Sequence, residues 1–235
     1  MTLGPLSKEV DCCKAVDFFP FVWYNKPRGG KMIKVILFDF DGVLTTDSTG
    51  SLTICKYISQ VSNIEFELLN SEYRKYNGDL LYGKVTHVEI WEELCKRIGV
   101  SIPYSILMDS FINTPIDNQM IELVYKLKST GYKIGMITDN KRDRIDCIIE
   151  HYDWCSLFDV VIVSADVGSG KNKNIIFDRA LEKLNLSADK CVFIDNQKKN
   201  LIVPQSMGMR TIYYNHETRD FDSILKKLQE MNVIR

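Results

Sequence analysis

The sequence predicts an α/β fold, a parallel sheet flanked by helices with an inserted helical unit, and three observations carry that expectation. Val35 to Phe38 is an unbroken apolar run, as in a strand covered on both faces. Further apolar runs at Ile134 to Ile137, Val160 to Val163, Cys191 to Ile194 and Thr211 to Tyr214 recur at the intervals of strand and helix alternation. The stretch from about Ser48 to Thr114 breaks this rhythm between the first and second strands with helical periodicity.

Taken in chain order, residues 1–31 stand apart from the rest as an atypical N-terminal extension. Their apolar segment, Phe18 to Tyr24, is too short to cross a bilayer, and Glu9, Asp11 and Asp17 do not suit a secretory leader. Arg28 to Met32 could be encoded by a purine-rich stretch resembling a bacterial ribosome-binding site, so the expected native start is Met32, the alternative being a genuine, loosely docked N-terminal arm. The core is expected over 32–47 and 115–235, and the insertion over 48–114. Within the insertion, Thr86 and Glu89 form a capping-box signature, followed by Val88, Trp91, Leu94, Cys95 and Ile98 on one expected helical face. Met120, Leu123, Val124 and Leu127 mark a helix ending near Gly131; Ile176, Phe177, Ala180, Leu181 and Leu184 mark another. A last helix is expected from about Phe221 to Met231.

Composition narrows the function classes. The 235 residues carry 30 Lys and Arg against 31 Asp and Glu, a formal charge of −1, with no basic field to attract nucleic acid or an anionic membrane. Seven cysteines, odd in number and without a Cys-x-x-Cys pair, argue against a disulfide framework or structural zinc and point to a reducing cytoplasm. The histidines His87, His151 and His216 are scattered and receive no chemistry. Without an obvious exposed apolar helix outside the insertion, a monomer is expected.

Asp39 and Asp41 follow the first strand two residues apart, which in extended chain turns both carboxylates to one side. Ligands of open α/β sheets bind beyond the carboxyl ends of the strands. A carboxylate there can take up a phosphoryl group while a second acid protonates the leaving oxygen and then activates water. A calcium loop counted from Asp39 fails, with Leu44 at the glycine position and Gly50 at the glutamate position. Thr138, Lys171 and Asp195 end later strands or lie just beyond them. Singly they read as a helix cap, a surface lysine and an N-cap; together they bring hydroxyl, cation and acid to one sheet edge. A phosphoryl group in transfer needs positive charge, which Lys171 supplies, and a hydrogen bond, which Thr138 supplies. The acids would repel that anion unless a hard divalent cation bridged Asp39 and Asp195, and magnesium suits such an oxygen site. A phosphate-cradling P-loop is excluded by Ala165 at its first glycine and Asn172 after the lysine.

Asp39-Phe-Asp41-Gly-Val, Thr138, Lys171 and Ile194-Asp195-Asn196 resemble the four motifs of the haloacid dehalogenase (HAD) superfamily, and the match covers roughly Met32 to the C-terminus. The resemblance implies a HAD-like Rossmannoid core with a helical C1 cap. Tyr82-Gly83-Lys84 to Trp91 looks like the caps of the family's small-molecule and sugar-phosphate phosphatases. It implies Asp39 as nucleophile, Asp41 as general acid/base, and Thr138 and Lys171 as phosphoryl binders. It also implies a Mg2+ site formed by Asp39, Asp195 and the main-chain carbonyl of Asp41. Asn196 stands where the family often carries a second acid, and Asn172 where proline often follows the lysine. The expected activity is magnesium-dependent hydrolysis of a small phosphorylated metabolite, a sugar phosphate or similar monoester, through an aspartyl-phosphate intermediate. A phosphoryl mutase, a 2-haloacid dehalogenase and a non-catalytic ligand-binding module are the alternatives; Asp41 speaks against the dehalogenase.

Overall fold

A computed structural model describes residues 32–235. The reading of residues 1–31, with Cys12 and Cys13, falls outside them. Five parallel strands, β1 (Val35–Phe38), β2 (Lys133–Thr138), β3 (Val160–Val163), β4 (Cys191–Asp195) and β5 (Arg210–Tyr213), form one sheet in the order β3-β2-β1-β4-β5. All four residues of β1 are buried, and alternate ones serve opposite faces: Ile36 and Phe38 join one apolar cluster, Val35 and Leu37 the other. That is why the run is continuously apolar.

Between β1 and β2 lie α1 (Gly50–Ser62), α2 (Phe66–Leu81), α3 (His87–Ile98), α4 (Tyr104–Ile112) and then α5 (Asn118–Ser129). The Thr86–Glu89 capping box forms in full at α3. The buried face of α3 differs from the expected one: His87, Ile90, Trp91, Leu94 and Ile98 are buried, whereas Val88 is 68% exposed and Cys95 is half-buried. The reason is that the His87 ring is satisfied inside, with Nε2 2.7 Å from the Tyr73 hydroxyl and Nδ1 2.6 Å from Asp143. The two chain segments joining this helical stretch to the core are zipped together by Thr46 N–H to Pro115 O and Asp117 N–H to Leu44 O, 2.9 Å each.

The remaining helices are α6 (Arg142–His151), α7 (Ser164–Val167), α8 (Asn174–Leu184), α9 (Ile202–Ser206) and α10 (Phe221–Glu230). β1 lies at the centre, between β2 and β4. The residues following the carboxyl ends of β1, β2 and β4 are thereby neighbours, which positions the site. Among the described residues no helix is long and apolar enough to cross a membrane, and Cys55, Cys95, Cys147, Cys155 and Cys191 are free thiols.

Candidate active site

The strand ends before the two acids. Asp39 is extended, and Asp41 (φ −69°, ψ 127°) with Gly42 (φ +77°, ψ 0°) then makes a tight turn of type II geometry, so Asp41 is delivered by a turn rather than by strand alternation. Gly42 makes that turn possible: its φ is +77°, and a Cβ there would lie 2.1 Å from the Asn196 side chain. Both carboxylates are buried, but they face different partners.

Asp39 accepts a 2.7 Å hydrogen bond from the Phe40 N–H, and its other oxygen lies 2.7 Å from Lys171 Nζ. Lys171 Nζ is also 2.7 Å from Asp195, so one ammonium bridges the acids that end β1 and β4. Burial raises the Asp39 pKa well above the usual carboxylate range, and the charges of Asp195 and Asp41 add to this against the pull of Lys171. Burial works against the Lys171 ammonium as well, yet Asp195, Asp39 and Asp139 outweigh it and raise its pKa. Asp195 is held further by the Gln197 N–H at 2.6 Å and by the Asn200 amide at 3.2 Å. The Lys171 backbone N–H donates to Asp139 at 2.9 Å, which fixes the loop carrying the lysine.

Asp41 is clamped by Arg144, whose two terminal nitrogens donate to its two oxygens at 3.0 and 2.9 Å. Asn140 Nδ2 adds a third donor at 2.8 Å and also reaches the Thr138 hydroxyl at 3.3 Å. Arg144 is fully buried, with its guanidinium over the Phe40 ring. A bidentate, buried pair of this kind fixes orientation as well as charge.

Asp39, Asp41, Thr138 and Lys171 border one cavity of about 300 Å³, together with Asn196 and, from the helical stretch, Ser48 to Ser51, Asn77 and Leu81. Asp195 lies beneath it, fully buried. All five residues expected at the site are therefore brought together. Arg144, Asn140, Asp139, Asn200 and Lys141 were not foreseen. The available signal was the polar run Asp139-Asn140-Lys141 directly after a buried strand, with Arg144 one helical turn beyond Asn140. Among the described residues no three His, Cys, Asp or Glu side chains are grouped to hold a metal ion. The Asp41 carboxylate is turned toward Arg144 and Asn140.

A parallel α/β sheet with buried acids, a bridging lysine and a hydroxyl at its carboxyl edge defines a hydrolytic enzyme of the Rossmannoid class. The chain belongs to the haloacid dehalogenase-like hydrolase family, which matches residues 36–214. It is 22% identical over 211 residues to validoxylamine A 7'-phosphate phosphatase of Streptomyces hygroscopicus subsp. limoneus, covering 85% of this chain and 96% of that protein. It is 26% identical over 222 residues to rat (Rattus norvegicus) bifunctional epoxide hydrolase 2, covering 85% of this chain but only 39% of that protein. A HAD family enzyme of Bacteroides thetaiotaomicron, crystallised as its magnesium complex, superposes with a TM-score of 0.66 at 17% identity, covering 83% of this chain and 98% of that one.

Proposed function

We propose that the protein is a phosphatase that hydrolyses a small phosphate monoester through an aspartyl-phosphate, with residues 48–114 capping the site. The observation that carries this reading is the single Lys171 ammonium, 2.7 Å from both Asp39 and Asp195, in a cavity shared with Thr138. That arrangement places an ammonium and a hydrogen-bonding hydroxyl beside the nucleophile, where the equatorial oxygens of a transferring phosphoryl group would lie.

Asp39 attacks phosphorus, forming an O–P bond as the bond to the leaving oxygen breaks, and Asp41 supplies the proton that the leaving alkoxide needs. Water then attacks the aspartyl-phosphate, Asp41 takes its proton, and the Asp39–phosphorus bond breaks to release phosphate. Arg144 and Asn140 orient Asp41 for both steps. A carbon–halogen displacement has no use for this second, carefully held acid.

The donor set suits a hard divalent cation. Asp39 and Asp195 offer carboxylate oxygens that repel each other, and the buried Asn196 Nδ2, without a hydrogen-bond partner among the described residues, could donate to a water or phosphoryl oxygen beside such a cation. Mg2+ held by Asp39, Asp195 and the Asp41 carbonyl would neutralise the approaching phosphoryl anion. The Leu81 to Lys84 segment lies against the core, with the Ser164 hydroxyl donating to Leu81 O at 2.6 Å, which supports a capping role that excludes water.

The test is phosphate release from p-nitrophenyl phosphate and a panel of phosphorylated metabolites, with and without Mg2+. Turnover that requires Mg2+ and is abolished in Asp39→Asn is the expected result. No release from any ester contradicts the proposal.

A further inference from the structure

Three buried cations serve the site, and their partners differ. Lys171 lies between Asp39 and Asp195, and Arg144 is matched by Asp41. Lys141 is only 3% exposed, yet among the described residues no carboxylate lies within ion-pair distance of it. Its Nζ donates to the Ser51 hydroxyl at 2.9 Å and sits 5.6 Å from the centre of the Tyr73 ring. Both nearby acids are committed elsewhere. Asp41 is held bidentate by Arg144, and Asp143 binds His87 and the Arg144 N–H.

A buried ammonium with only a hydroxyl and a ring for company is a costly arrangement. Burial and the neighbouring Arg144 charge push its pKa down to about 8, so the fold tolerates this cation rather than profiting from it. Lys141 borders the cavity on the side where Thr49, Gly50 and Ser51 begin α1, a thirteen-residue helix. Its positive end therefore adds to the lysine's charge. Lys199 borders the same cavity but is exposed and can be served by water.

We propose that Lys141 recognises a second anionic group carried by the leaving part of the substrate, making the preferred substrates short phosphate monoesters with a further carboxylate or phosphoryl group. This rests on the phosphatase reading. The reacting phosphoryl group is already provided for by Lys171 and Thr138, and a cavity of about 300 Å³ leaves room for only a short polar chain between the two anions. Ser51 and Asn77, hydrogen-bonded to each other at 2.8 Å, offer polar side chains alongside that chain.

The experiment compares three esters of one chain length: 3-hydroxypropyl phosphate, 3-phosphonooxypropanoate and propane-1,3-diyl bisphosphate. The native enzyme should favour one of the two doubly anionic esters by at least tenfold in kcat/KM, chiefly through KM, and whichever it favours identifies the anion as carboxylate or phosphoryl. In Lys141→Met that ratio should fall to within about twofold of unity. The variant should also melt at a higher temperature than the native protein, which a lysine kept for structure would not allow. Equal use of charged and neutral esters by the native enzyme, or a Lys141→Met variant that keeps the preference or melts lower, overturns the inference. Turnover without discrimination sinks it alone; no turnover of any ester, p-nitrophenyl phosphate included, sinks the phosphatase reading too.

Discussion

The sheet edge and the helical wall opposite it border the same cavity but are built on different rules. At the edge each buried acid is held by a cation: Asp39 and Asp195 share Lys171, and Asp41 faces Arg144. On the wall, hydroxyls and an amide line the space, and the cation that reaches across to them, Lys141 from the segment after β2, bonds Ser51 and has no carboxylate partner among the described residues. A matched edge is rigid and suits chemistry that is the same for every substrate. An unmatched wall is where substrates are told apart. Edge substitutions should therefore depress turnover of all esters, and wall substitutions should change which ester is used.

The largest effect is expected at Asp41. Asp41→Asn should lower kcat on alkyl phosphates by about 10²- to 10⁴-fold, the usual range for losing a positioned acid/base. The loss should be much smaller on p-nitrophenyl phosphate, whose leaving group needs no proton; equal losses on both would break the edge account. Next comes Arg144→Met, which strands the buried Asp41 carboxylate. Denaturant titration should show a destabilisation of about 3–5 kcal/mol, as for a buried pair that loses one member.

Gly83→Ala probes the contact between the helical stretch and the core. Gly83 has φ +66°, and a Cβ there would lie 2.1 Å from the Ala165 carbonyl oxygen, so the α2–α3 turn must lift from the core. KM should rise several-fold with kcat changing less; a fall in kcat alone would contradict the assignment of this contact to capping.

The smallest expected effect is on pH dependence. Burial lowers the His87 pKa, against the pull of Asp143, so the unfolded chain takes up a proton there before the folded one does. The stability held by neutral His87 is present above its ordinary pKa of about 6.5 and is lost as pH falls through the lowered folded value. His87→Gln should flatten the decline in melting temperature between about pH 7 and pH 5. An unchanged slope would show that another group sets the acid sensitivity.

What could be read from the sequence follows from how local each signal is. β1 and the Asp39 position are legible because a buried parallel strand writes itself as an apolar run and ends at a crevice. Thr138, Lys171 and Asp195 are legible because each follows such a run. The Arg144 clamp is not, since its carboxylate lies 103 residues away in sequence, and neither is the Asn140 contact to Asp41 across 99 residues. Strand alternation also misleads at Asp41, because the strand stops at Phe38 and a turn governs the second acid. On α3 the pattern selects Val88 and passes over His87, since periodicity cannot foresee that Tyr73 and Asp143 satisfy a buried imidazole.

The proposed reaction passes through a covalent bond between Asp39 and phosphorus. Native enzyme turning over p-nitrophenyl phosphate should be quenched in acid and digested, and its peptides weighed. The peptide carrying Asp39 should gain one phosphoryl group, absent before substrate is added and absent from Asp39→Asn. Steady turnover with no phosphoryl adduct, or with the adduct on another residue, would contradict it.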